Sequence, residues 1–176
     1  EDESGHVIQV RPLNVRRSKL IRRLDPEDID KLISVKGIVI RASDIMPEMK
    51  EGHFKCSVCN HRMCIPVHRA SVEQPVKCPN CGASHSFEMI HNMSQFGDKQ
   101  FIKLQEVQEN IPDGDTPHHI QLCVFEELVD SVRPGDRAEV IGIYRAHGFK
   151  TNHNRTTLKS VFVTYIDVVS TNFLTY

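Results

Sequence analysis

The sequence predicts a mainly β protein: an OB-fold Greek-key barrel with an inserted four-cysteine zinc ribbon, preceded by a short N-terminal helical segment. Three observations predict it. Five short segments alternate apolar and polar residues and are rich in β-branched side chains, with no long helical period between them. Five of the six cysteines fall between Cys56 and Cys81, in a segment poor in apolar residues. A length of 176 residues, 39% of them apolar and none of them Trp, suits one domain of ordinary size carrying a small insertion.

Residues 1–31 form a polar N-terminal segment in which Arg11, Arg16, Arg17, Lys19, Arg22 and Arg23 crowd together. Such a run is either a solvated face or a contact surface. Asp25-Pro26-Glu27-Asp28 offers a capping residue followed by proline at the first helical position, which predicts a short helix to about Lys31. The first barrel strand follows at residues 32–41, with a bulge expected around Gly37. The barrel takes residues 32–52 and 90–170, and the ribbon, residues 53–89, is an excursion between its strands. Alternation resumes at 101–106 and 120–125, and Arg133-Pro134-Gly135-Asp136 is a turn. Residues 137–144 and 159–169 supply the last strands, Gly142 permitting sharp curvature. Residues 171–176 read as a linker toward a further domain, and a chain that starts at Glu1 without Met reads as a piece of a longer one.

The cysteine spacing carries the chemistry. Cys56/Cys59 and Cys78/Cys81 are two C-x2-C pairs separated by eighteen residues, within the range of a four-thiolate zinc site. Each two-residue gap lets a tight knuckle aim both sulfurs at one ion, and two knuckles complete a tetrahedron. Pro79-Asn80-Cys81-Gly82 supplies turn chemistry at the second. With all four positions thiolate none is open to water, so Zn2+ here is structural and stands in for a missing core. Two disulfides are the bland alternative, and an intracellular chain argues against them. Cys64, His61, His68 and His85 lie near enough to be substitute ligands, while Cys123, in an apolar run, reads as a small buried hydrophobe. A zinc deaminase would need H-x-E and P-C-x-x-C, and neither occurs.

Charge is balanced overall: 22 Lys and Arg against 23 Asp and Glu. A coat of nonspecific nucleic-acid binding is thereby excluded, and any such contact must come from a local patch. No apolar run approaches a membrane span and no secretory signal pattern opens the chain, which reads as soluble and intracellular. Residues 140–166 hold no acidic side chain, yet Arg145, Lys150, Arg155 and Lys159 lie there with His147 and His153. The segment 145–159 reads as a projecting hairpin with a polar tip, and a basic hairpin suits phosphate contact. Residues 105–117 start with Gln105 and Glu106, carry Pro112, Gly114 and Pro117, and lack an apolar period. Loops this long inside a compact domain are usually functional.

Longer stretches carry a resemblance. Leu24-Asp-Pro-Glu-Asp-Ile-Asp30, Gly37-Ile-Val-Ile-Arg41, Met46-Pro-Glu-Met49, Ile90-His-Asn92, Asp98-Lys-Gln-Phe-Ile-Lys-Leu-Gln-Glu106, Asp113-Gly-Asp-Thr-Pro-His118, Gly135-Asp-Arg137, Gly142-Ile-Tyr-Arg-Ala146 and Lys159-Ser160 occur in one order across residues 7–170. The sequence resembles the N-terminal domain of the minichromosome maintenance (MCM) replicative helicase subunits, and most closely the branch of the fourth eukaryotic subunit. His118 after Pro117 is a mark of that branch.

The resemblance implies a helical subdomain, a zinc ribbon and an OB barrel that together bind DNA and assemble into a ring. It places single-strand contacts at Arg41 and Lys103, sends the hairpin with Arg145, Lys150, Arg155 and Lys159 into a central DNA channel, and makes residues 105–117 an allosteric loop facing a neighbour's motor. It further implies single- and double-stranded DNA and the other MCM subunits as partners, a head-to-head double hexamer through the ribbons, and the nucleus as location. Asn154 stands where a related hairpin carries a basic residue, and only about thirty residues represent the helical subdomain. The family's ATP- and Mg2+-dependent motor is a separate domain, and no G-x-x-x-x-G-K-[ST] occurs in this chain, which is therefore read as non-enzymatic. The competing reading is a stand-alone single-strand-binding OB protein with a zinc ribbon, of the replication protein A type. Such platforms stack bases on aromatics, and this chain has eight Phe and three Tyr.

Overall fold

The computed structural model describes residues 10–13, 15, 16, 18–67, 72, 74–150 and 158–173, the side chains of 148–150, 158–161 and 173 excepted. Nine strands lie among the described residues: β1 (Ser18–Lys19), β2 (Leu32–Ala42), β3 (Met46–Cys56), β4 (Arg62–Pro66), β5 (Phe87–Met89), β6 (Gln95–Glu106), β7 (His119–Phe125), β8 (Arg137–Lys150) and β9 (Leu158–Phe173). The chain divides into two compact units: residues up to Asp44 together with those from Gln100 onward, and Ile45–Lys99.

In the first unit, β2 pairs antiparallel with β8, β8 antiparallel with β9, and β9 parallel with β7. β7 then pairs with β6, whose later half runs antiparallel to β2 and closes the circuit. A circuit of five strands has no free edge, and its order, with one parallel contact between the third and fifth barrel strands, is the OB barrel. All five alternating segments seen in the sequence are strands of it. Their inward positions, Ile33, Val35 and Val39 from β2 with Leu104, Leu122, Val140 and Ile166 from the others, form one core.

Two glycines mark where the barrel walls come together. A Cβ on Gly37 would meet the Gln105 carbonyl oxygen at 2.5 Å and Leu104 Cγ at 2.6 Å, and one on Gly142 would fall on the Asp167 carbonyl. The bulge expected around Gly37 lies further on: Gly37 keeps regular register with Glu106, and the ladder slips between Val39 and Arg41. The slip leaves Ile40 exposed and turns Arg41 to the outside. Gly142 does sit at a register shift in the β8–β9 ladder, as its curvature role requires.

The short helix expected to reach Lys31 is a single 3-10 turn, Pro26–Asp28. Its cap is the one the sequence promises, with Asp25 and Asp28 side chains and backbones satisfying each other reciprocally. Continuation fails because tertiary pairing takes the next donors: the Asp30 N–H donates to the Tyr144 carbonyl at 2.7 Å, and the Tyr144 N–H donates to Lys31 at 3.1 Å. Asp30 accordingly sits at φ 63.

β8 and β9 outrun the barrel. The register partner of β2 furthest along β8 is Ile143, and β7 reaches β9 through residues 165–167, whereas the β8–β9 ladder continues to Lys150 opposite Leu158. The result is a two-stranded ribbon rooted at Tyr144 and Arg145.

The second unit is built on β3, which pairs with β4, with β5 and with the first part of β6. Its core is small: Phe54, Cys56, Cys78 and Phe87 are buried, with Cys59, Met63, Ile65 and Met89 packed against them. Two of these four buried apolar side chains are cysteines, so the sulfur cluster occupies the place of a hydrophobic core.

Candidate metal centre and nucleic-acid face

Each C-x2-C pair is turned by the same device. After the first pair, Asn60 adopts φ 56 and donates its N–H to the Cys56 carbonyl at 3.0 Å; after the second, Gly82 adopts φ 71 and donates to the Cys78 carbonyl at 2.9 Å. Return bonds close both knuckles, Cys56 N–H to the His61 carbonyl at 2.8 Å and Cys78 N–H to the Ala83 carbonyl at 2.9 Å. Asn and Gly are the residues that reach the left-handed region at least cost.

The knuckles bring all four sulfurs together within 4.8 Å of one another. Cys56 and Cys81 Sγ are 3.7 Å apart, Cys59 and Cys78 Sγ 3.5 Å. A tetrahedron with metal–sulfur bonds of roughly 2.3 Å has edges of about 3.8 Å, so the sulfurs stand where one ion would hold them. All six cysteines are free, and the four sulfurs form one group rather than two bonded pairs. The substitute ligands are not recruited: Cys64, His61 and His85 lie outside this group of four, and His68 lies outside the described residues. Cys123 is buried, as a small apolar residue would be.

The thiols are prepared unequally for ionisation. The Ser86 hydroxyl, then the Cys59 N–H, pulls the Cys56 thiol down to about 6, and the His61 N–H lowers Cys59. The Ala83 N–H favours the Cys81 thiolate too, but burial and the three neighbouring sulfurs together push it up to about 12. Four thiolates cannot share this space without a cation among them, and one divalent ion removes that repulsion.

On the barrel, Arg41 and Lys103 are register partners on β2 and β6, both exposed. Their Cβ atoms stand about 5 Å apart by strand geometry. Neither has an ion-pair partner among the described residues. The other cations are used differently. Arg145, at the hairpin root, is held by Asp30 at 2.6 Å and Asp167 at 3.3 Å. Three of the six N-terminal basic residues are ion-paired: Arg11 with Glu127, Lys19 with Asp28 of the same segment, and Arg22 with Glu106 and Asp115. Arg16 and Arg23 remain exposed, and Arg17 lies outside the described residues.

The stretch 105–117 is more firmly seated than its composition implies. Gln105 and Glu106 end β6, and the Glu106 side chain is 1% exposed. Arg22 Nε donates to both Glu106 oxygens at 3.0 and 3.1 Å, while its Nη1 donates to Asp115 at 3.0 Å. Val107 is buried, and Arg137 reaches Glu109 at 3.1 Å. Pro112, Gly114 and Pro117 lie in the exposed remainder, where Gly114 turns the chain at φ 82.

The MCM OB domain family matches residues 19–148, well over half of the chain. The chain belongs to that family. It is 48% identical over 165 residues to the DNA replication licensing factor mcm4 of Schizosaccharomyces pombe, 47% over 164 to MCM4 of Drosophila melanogaster and 45% over 163 to MCM4 of Arabidopsis thaliana. These matches take in 93%, 93% and 91% of this chain but 18%, 19% and 19% of the relatives. The chain thus spans about a fifth of the length of the curated relatives it matches.

Of the residues expected to carry function in this MCM OB domain, the structure gathers the four cysteines at one point and sets Arg41 beside Lys103. Arg155, His153 and Asn154 lie outside the described residues, as do the side chains of Lys150 and Lys159. Sequence reasoning missed the double duty of Arg22. Its two carboxylate partners lie 84 and 93 residues away, and no local pattern announces such pairs. No described helix is long and apolar enough to cross a membrane.

Proposed function

We propose that this MCM OB domain is the DNA-binding and ring-assembly N-terminal module of a replicative DNA helicase subunit of the fourth-subunit kind. The observation that carries the reading is the pair Arg41–Lys103: two neighbouring cations, free of carboxylate partners among the described residues, on the outside of a closed barrel. Such a pair meets successive phosphates of a single strand without reading bases, as an enzyme that passes any sequence requires. Lys150, Arg155 and Lys159 extend the phosphate track along the hairpin, and Arg145 secures the hairpin's root through its two carboxylates.

The ion we assign to Cys56, Cys59, Cys78 and Cys81 is Zn2+, which suits four thiolates in a closed tetrahedron and supplies folding energy rather than chemistry. The ribbon it holds is the surface by which two rings would meet head to head. Residues 105–117, anchored at Glu106 and Asp115 and exposed at Gly114 and Pro117, are suited to report to a neighbouring subunit's motor, where ATP and Mg2+ would act. The other MCM subunits and single- and double-stranded DNA are the partners, and the nucleus is the location. A base-stacking platform of the replication protein A type is disfavoured: in the barrel unit, the one large aromatic exposed among the described residues is Phe162, on the hairpin.

Photocrosslinking of a single strand carrying reactive thymidine analogues to rings assembled from full-length subunits tests the reading. Adducts are expected on the peptides bearing Arg41 and Lys103 and on the hairpin. Adducts confined to other surfaces of the domain would overturn it.

A further inference from the structure

The ribbon carries a second set of metal-binding groups that the four-cysteine site does not use. His53 on β3 and Cys64 on β4 are direct register partners, and Glu51 lies two residues before His53 on the same face of the strand. Their ligand atoms lie within 4.8 Å of one another, with Cys64 Sγ 3.5 Å from Glu51 Oε2. Alternation sets them apart from the first site: Phe54 and Cys56 on β3 and Met63 and Ile65 on β4 point into the ribbon core, so Glu51, His53 and Cys64 occupy the opposite face.

We propose that Glu51, His53 and Cys64 form a second, three-ligand site for a divalent transition metal on the outer face of the ribbon sheet. The donors are a thiolate, an imidazole and a carboxylate, a set that favours Zn2+ over Mg2+ or Ca2+. Three protein ligands leave one position for water or for a group from outside the chain. The site stands on paired strands rather than on a loop. His53 is fixed on its other edge as well, its N–H donating to Ser94 Oγ at 3.1 Å and its carbonyl accepting from Ile90 N–H at 2.8 Å. Ligands fixed before the ion arrives lose little freedom on binding it.

The same face tells how tightly the ion is held. Lys55 and Arg62 are register partners one step along on that face, with Glu88 opposite Lys55 on β5. Two cations beside the site oppose a third, so the second ion binds more weakly than the first and exchanges. On binding, the Cys64 S–H bond breaks, the sulfur keeps the electron pair as its bond to the metal, and one proton leaves to solvent. This inference is independent of the DNA reading and rests on the ribbon alone.

Equilibrium dialysis of the full chain against Zn2+, followed by elemental analysis, tests it. Two zinc ions per chain are expected, one of which a mild chelator removes while the other stays. Cys64→Ser and His53→Ala should each keep the tight ion, which shows that the ribbon is folded, and weaken the second at least about 100-fold, the upper range for losing a mere supporting partner. Glu51→Gln should weaken it in the same direction. In Co2+-loaded protein, Cys64→Ser should delete the absorption of a single thiolate–cobalt bond and leave the four-thiolate spectrum. One zinc per chain throughout the wild-type titration would overturn the proposal, as would a second zinc that persists unchanged in Cys64→Ser and His53→Ala.

Discussion

Stripping the tight metal should unfold the ribbon and leave the barrel standing. Among the described residues, the ribbon's buried apolar side chains are Phe54, Cys56, Cys78 and Phe87. Its two phenylalanines contribute on the order of 1.5–3 kcal/mol each when buried. A structural zinc of this type contributes about 10–16 kcal/mol, more than both together and comparable with the whole stability of an ordinary domain, roughly 5–15 kcal/mol. The barrel has its own core, sixteen buried residues among those described, none of them a cysteine of the metal cluster. Tyr144 and Tyr165 belong to the barrel unit, and Tyr176 lies outside the described residues; the ribbon unit, residues 45–99, has no tyrosine, so tyrosine fluorescence reports the barrel while hydrogen exchange reports the knuckles. After chelation, the amides of Cys56, Asn60, Cys78 and Gly82, each hydrogen-bonded within a knuckle, should lose protection, and the tyrosine melting curve should stay within a few degrees. Knuckle amides that stay protected in metal-free protein would refute the reasoning, and so would a barrel that melts with the ribbon.

Three further outcomes follow from the barrel. Arg22→Met should lower its melting temperature markedly by leaving Glu106 buried without its cation, and Arg22→Met with Glu106→Gln should recover most of the loss. Gly142→Val should cost about 3 kcal/mol or more in a urea melt, because the new side chain falls on the Asp167 carbonyl and on Ile166 Cγ2. The Lys19 ammonium, then the Asp25 N–H, holds the Asp28 carboxyl below its ordinary range. A folded pKa below the unfolded one stabilises the fold above roughly pH 4 and is lost as pH falls through the folded value. Asp28→Asn should therefore flatten the acid limb of stability against pH in tyrosine-monitored urea melts.

What could be read from the chain was local. Cys56, Cys59, Cys78 and Cys81 were legible because a knuckle is made by neighbours, and the five barrel strands because each writes its inward positions every second residue. The hairpin was legible as far as its basic, acid-free sequence, but Arg145 was misleading. Its carboxylates are Asp167, one residue beyond the acid-free window, and Asp30, which only the fold brings near. The helix after Asp25 failed for the same reason: its cap formed, yet the Tyr144 carbonyl, more than a hundred residues away, claimed the Asp30 N–H. Gly37 carried a correct signal with the wrong cause, since closure against Gln105, rather than a bulge, forbids a side chain. Residues 105–117 showed no apolar period because, Val107 apart, their anchors are charges.

The most direct test of the account is the salt dependence of single-strand binding by assembled rings that carry this domain. Each phosphate neutralised on a single strand contributes about −0.7 to the slope of log affinity against log salt. With three or four contacts the wild type should show a slope of about −2 to −3, and Arg41→Ala with Lys103→Ala should make it shallower by about 1.4 on every sequence tested. Affinity and slope unchanged in that double variant would contradict the account and pass the contact to the hairpin or to Arg16 and Arg23.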